Sequence, residues 1–84
     1  MRFVLVLYDI TNSRLRNKVV IICLDYGLRR LQFSAFYGFL GRTLMKGLVK
    51  ELEILALATR RKKGRFMVHV LPLPKNASQF LTKL

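Results

Sequence analysis

The stretch FVLVLY, residues 3–8, is unbroken apolar and aromatic sequence, and it stops at a single carboxylate, Asp9. No other part of the chain restricts the fold so strongly. Val4 and Val6 fall on one face of an extended backbone and Phe3, Leu5 and Leu7 on the other, and a strand apolar on both faces belongs in the middle of a sheet. A strand ending near Tyr8 leaves Asp9 at its C-terminal edge, where the backbone is held and the side chain can meet solvent. Thr11, Asn12 and Ser13 are already good helix caps, so Asp9 is spare for capping and becomes the first candidate for function.

The next segment, TNSRLRNKVVIICLDYG, repeats apolar residues at helical spacing through Leu15, Val19, Ile22 and Tyr26. Asn12 or Ser13 caps this helix, and Gly27 suits the residue that follows it. Arg14, Arg16 and Lys18 crowd its first turns, against the preference for acids there. Cations placed so fit either an external anion or a solvated basic face.

In LRRLQFSAFYGFLG apolar and other residues alternate with period two, which argues strand. Either one kinked strand or two short ones satisfy the pattern, with Gly38 the bend candidate. Arg29 and Arg30 precede it and, with Ser34 and Phe36, make a candidate phosphate contact and stacking surface. From Arg42 helical spacing returns, with Leu44, Leu48, Leu52 and Leu55 on one stripe.

Five cations in six residues, Arg60, Arg61, Lys62, Lys63 and Arg65, form a loop with no acid nearby, and they read as a nucleic-acid contact. FMVHVLPLP is another strand, confined to an edge by Pro72 and Pro74. Its His69, the only histidine, is expected to be packed.

Strand, helix, strand pair, helix, strand is the order of an α+β ferredoxin-like sandwich, with helices on one face of an antiparallel sheet. That fold hosts many functions and selects none. At 84 residues the chain makes one domain, 1–84, able to bury roughly 60–65% of its unfolded surface. The 52% hydrophobic content is rich for that size, so a homodimer is expected to cover the surplus. Sixteen Lys and Arg against four Asp and Glu give a net charge of +12, which points to phosphate, and to RNA or DNA over a membrane surface, because the cations fall in loops and helix ends and do not line one face of an amphipathic helix. Cys23 has no partner in the chain and no run approaches the ~20 apolar residues of a membrane span, so a cytoplasmic protein without a membrane partner is expected.

YDITNSRLRNKV followed by GLRRLQFSAFYGFL resembles the CRISPR-associated Cas-two family, small adaptation proteins that open with a strand ending in Tyr-Asp and continue with an arginine-rich helix start. The resemblance runs from about Phe3 to Leu40. It implies a ferredoxin-like fold with two short strands in the 30 to 40 region. It also implies a homodimer in which C-terminal segments, here 75–84, pack on the partner protomer. The implied activity is metal-dependent endonuclease cleavage of RNA or duplex DNA, together with a role as DNA scaffold beside the Cas-one integrase during spacer acquisition. Asp9 corresponds to the metal-binding carboxylate and Tyr8 to its neighbour in the catalytic pair. Arg16 and Arg30 correspond to basic positions flanking the cleft, and Ser34 and Phe36 to the strand motif. Lys18 stands where many relatives have Arg, which keeps the charge and loses the bidentate fork.

Counting acids agrees with a site shared by two copies. Asp25, Glu51 and Glu53 fall on helices, so one protomer offers Asp9 alone, whereas Mg²⁺ takes one or two carboxylates plus water and phosphate. Two Asp9 side chains across a two-fold axis would share one Mg²⁺, and their mutual repulsion predicts activity that rises with pH and metal together. A non-catalytic duplex-DNA scaffold and a stand-alone toxin-type endoribonuclease fit the same residues. An RNA-recognition motif does not: KGRFMVHV places Arg65 and Met67 where that pattern needs rings.

Overall fold

The apolar run becomes β1, Arg2–Ile10, in a computed structural model that describes residues 1–60 and 63–81. The elements that follow are α1 (Ser13–Asp25), β2 (Arg29–Gln32), β3 (Ala35–Leu40), α2 (Arg42–Ala58), β4 (Phe66–Leu73) and a short 3-10 helix, Lys75–Phe80. The four strands form one sheet in the order β2-β3-β1-β4. Every pairing is antiparallel, so β1 is central and the fold is the expected ferredoxin-like α+β sandwich.

Alternation along β1 sorts its side chains. Val4, Val6, Tyr8 and Ile10 enter the core with Leu15, Val19 and Cys23 of α1 and with Leu48 and Leu52 of α2. Phe3, Leu5, Leu7 and Asp9 therefore point to the other side of the sheet. Their cross-strand neighbours there are Tyr37 and Phe39 of β3 and Met67, His69, Leu71 and Leu73 of β4. Phe39, Met67 and Leu71 are exposed, so this face is apolar and open. His69 is exposed as well, and the expectation that it packs is corrected: alternation puts it on the open face, opposite Leu7.

Asn12 supplies the α1 cap, its Oδ1 accepting the Leu15 N–H at 3.1 Å, and Gly27 takes φ 79° after the helix. On α2 the expected stripe is shifted: Leu48 and Leu52 are buried, but Leu44 is 51% exposed. β4 is an edge strand, which is why it can contain Pro72.

The 28–40 region resolves into two strands. Gln32 pairs with Ala35, so the turn is Phe33-Ser34, and a bulge between Arg30 and Gln32 adjusts the register. Gly38 is not the bend. It lies inside β3, where a Cβ would come within 2.7 Å of Leu28 Cδ2, and its role is to let Leu28 lie against the strand. The first residues of the 75–84 tail form the 3-10 helix, which touches β1 of its own chain. Residues 82–84 lie outside the described part.

Candidate nucleic-acid interface

The end of β1 organises the site. Asp9 is within the strand, paired with Met67, rather than beyond its end, because β1 continues to Ile10. Its carboxylate is half-exposed, and Oδ2 accepts a hydrogen bond from Arg65 Nε at 3.0 Å. With Arg65 70% exposed, this ion pair is well solvated and holds geometry more than it adds stability.

Arg65 reaches Asp9 because the start of β4 is tied to the end of β1. Thr11 N–H donates to the Arg65 carbonyl at 3.0 Å, and Arg65 N–H donates to Thr11 Oγ1 at 2.9 Å. Gly64, at φ 99°, lies so close to Thr11 that a Cβ would stand 2.9 Å from Thr11 Cβ. Any other residue there is strained and crowded.

Tyr8 points the opposite way from Asp9, into the core face, so the two adjacent residues are not a hydrogen-bonded pair. The Tyr8 hydroxyl donates to the Phe33 carbonyl at 2.7 Å and accepts a long hydrogen bond of 3.5 Å from Arg30. Burial pushes the Tyr8 phenol up, with the Arg30 charge opposing that shift. The hydroxyl thus stays protonated and donates. Its backbone N–H donates to the Ser34 carbonyl at 3.1 Å, so Tyr8 holds the hairpin loop at two points.

Arg16, on the first turns of α1, donates to the Ile10 carbonyl at 3.2 Å, and its guanidinium lies 5.8 Å from the Phe33 ring centroid. Arg30 lies 5.2 Å from the Phe36 ring centroid. Tyr8, Asp9, Thr11, Arg16, Phe33, Ser34 and Arg65 line one polar cleft of about 450 Å³. A second groove, of about 490 Å³ between α2 and β4, has mostly apolar walls and holds none of the candidate catalytic, metal or nucleic-acid-binding residues.

The structure thus brings Tyr8, Asp9, Arg16, Ser34 and Arg65 together, with Arg30 beside them. Arg14 and Lys18 are exposed on α1, Arg29 on β2, and Arg60 and Lys63 beyond α2, none of them lining the cleft. Arg61 and Lys62 lie outside the described residues. Phe36 is corrected as a stacking surface: it is fully buried, its ring 6.2 Å from that of Tyr8, and no base can reach it. The exposed ring at the cleft is that of Phe33, at 71%. Sequence reasoning missed it because period-two alternation continues through the turn, and missed Thr11 by reading it only as a cap. Among the described residues no three His, Cys, Asp or Glu side chains cluster.

The comparisons with known proteins agree with this architecture. The family described as CRISPR associated protein Cas2 matches residues 1–79. A CRISPR-associated endoribonuclease Cas2 of Chloroflexus aurantiacus is 52% identical over 60 residues, which are 71% of this chain and 64% of that protein. One of Pyrobaculum aerophilum is 45% identical over 51 residues, 61% of this chain and 56% of the relative. The aligned part thus spans less than two thirds of either relative's length. A Cas1/Cas2 endonuclease fusion of Thermoproteus tenax is 46% identical over 50 residues, 60% of this chain and 19% of the fusion. Among solved structures, a crystal structure of Cas2 superposes with a TM-score of 0.69 at 29% identity, covering 89% of this chain and 78% of that one. A hypothetical protein of Thermus thermophilus gives the same TM-score at 26% identity, covering 86% of this chain and 80% of its own. With the family matching residues 1–79 and the antiparallel four-stranded α+β fold shared with the superposed crystal structures, this chain belongs to the CRISPR-associated Cas2 family.

Proposed function

We propose that the chain acts as a homodimeric, metal-dependent endonuclease on RNA or duplex DNA, with Asp9 as the metal-binding carboxylate. One observation carries the proposal: Asp9 is a half-exposed acid at the rim of an open apolar sheet face, in a cleft otherwise lined by cations and neutral groups. A second copy docked on that face with its two-fold axis beside Asp9 would bring a second Asp9 to the first. The relatives named endoribonuclease and endonuclease support hydrolysis of a phosphodiester.

The donor set fits a magnesium ion held by two chains. A single carboxylate leaves most of an octahedral shell to water and phosphate oxygen, and a second Asp9 supplies the usual pair. The ion when bound would stabilise charge at phosphorus and lower the pKa of a coordinated water. This chain's residues do the remaining work. Arg16 and Arg65 bind the phosphate and place it against Asp9. For this Arg65 exchanges its ion pair with Asp9 for one with the phosphate, an inexpensive step because both groups are solvated. Tyr8 acts as a positioning residue through its hydrogen bond to the Phe33 carbonyl.

A second reading has support of its own. Arg14, Lys18, Arg29 and Arg60 are exposed outside the cleft, as a duplex-DNA scaffold without cleavage would need, and the Thermoproteus tenax fusion favours a Cas1 integrase as the companion protein. Cleavage of single-stranded RNA and duplex DNA across a Mg²⁺ titration separates the two. The nuclease reading expects Asp9→Asn to lose at least about a hundredfold in rate, with binding and oligomeric state unchanged. If neither protein cuts and both bind duplex DNA, the scaffold reading holds.

A further inference from the structure

Phe33 is 71% exposed, more than any other large hydrophobic side chain among the described residues except Met1 at 73%. Single exposed apolar side chains are ordinary, so exposure alone identifies nothing. Phe33 differs from an ordinary one in three respects. Its backbone is fixed, because the Tyr8 hydroxyl is bonded to its carbonyl at 2.7 Å and the next carbonyl, that of Ser34, accepts Tyr8 N–H at 3.1 Å. Its ring borders the same cleft as Asp9 and Arg65. The Arg16 guanidinium stands 5.8 Å from its centroid, which places a phosphate-binding group next to an aromatic face.

We propose that Phe33 stacks on an unpaired nucleobase beside the phosphate held in the Asp9 cleft, and so makes the cleft selective for single-stranded nucleic acid. The inference rests on the nucleic-acid reading of that cleft. A nucleotide carries a phosphate and a planar ring a few ångströms apart, and the cleft offers cations and a ring at matching separation. In a duplex each base is already stacked on both sides, so an exposed phenyl ring gains contact only with a loop, a frayed end or a single strand. The backbone that carries the ring is pinned, so little main-chain freedom is lost on stacking.

The test measures binding by the full chain without divalent metal. The probes are an oligouridylate carrying one 2-aminopurine, whose fluorescence is quenched by stacking, and a duplex DNA of equal length. Phe33→Leu keeps apolar bulk and removes the aromatic face, whereas Phe33→Tyr keeps the face. The expected result is that Phe33→Leu loses about fivefold or more in single-strand affinity together with the quenching, that its duplex affinity stays within about twofold, and that Phe33→Tyr matches the wild type. Unchanged single-strand affinity and quenching in Phe33→Leu would overturn the proposal, as would an absence of single-strand binding by the wild type. An equal fall on both probes would make Phe33 a support of the cleft, and a changed oligomeric state would make it an interface residue; either outcome overturns stacking. Because no metal is present, a protein that shows the expected pattern yet cleaves nothing with Mg²⁺ refutes the nuclease and leaves the stacking role standing.

Discussion

Two phenylalanines three residues apart separate core from surface. Phe36 is fully buried under Tyr8 and Arg30, whereas Phe33 is mostly exposed at the hairpin tip. Phe36→Ala is expected to cost about 3–5 kcal/mol and Phe33→Leu less than about 0.5 kcal/mol, both read from urea denaturation. Period two alone did not reveal which of the two is outside, because a turn at Phe33-Ser34 lacks the Gly, Pro, Asn or Asp that marks most turns. Asp9 was legible, since an acid ending an apolar strand is conspicuous. Its ion pair with Arg65, a residue 56 positions away, was not. Cys23 gives a pH prediction. Burial pushes its thiol from 9.0 up to about 12, so the folded state holds the proton more tightly than the unfolded one. The resulting stability is fully present below about pH 9 and is lost as pH rises towards about 12. Urea denaturation across that window should show the wild type losing stability relative to Cys23→Val.

At the scale of elements, the periodicities of β1, α1, α2 and β4 located all four within a few residues, because each buries a face against the core. The exception was the 28–40 segment, where two short strands share one continuous alternation and the division between them lies in a bulge and a two-residue loop. The other hidden junction is the tie between β1 and β4. Thr11 and Arg65 exchange two hydrogen bonds across it, and Gly64 permits the approach. Gly64→Ala places a Cβ 2.9 Å from Thr11 Cβ at a φ of 99°, and is expected to destabilise by about 1–3 kcal/mol. The same change should draw Arg65 away from Asp9. Denaturation measures the first effect, and a weakened affinity for a short oligonucleotide at constant salt measures the second.

For the molecule as a whole, the decisive asymmetry is between the two faces of the sheet. One is covered by α1 and α2, and the other presents Leu5, Leu7, Tyr37, Phe39, Met67 and Leu71 with Asp9 at its rim. The sequence contained this surplus as an apolar strand with two apolar faces, yet only the topology tells which face the helices leave open. Two chains of charge +12 repel, so in the proposed homodimer salt or bound nucleic acid would relieve the repulsion between the facing copies. In the homodimer proposed above, one metal would be held between the two Asp9 side chains. Mn²⁺, as a spectroscopic substitute for Mg²⁺, can be titrated into the dimer and counted by electron paramagnetic resonance. One ion per two chains is expected, abolished by Asp9→Asn while the dimer persists. One ion per chain, or a stoichiometry that Asp9→Asn leaves unchanged, would rule out a shared metal.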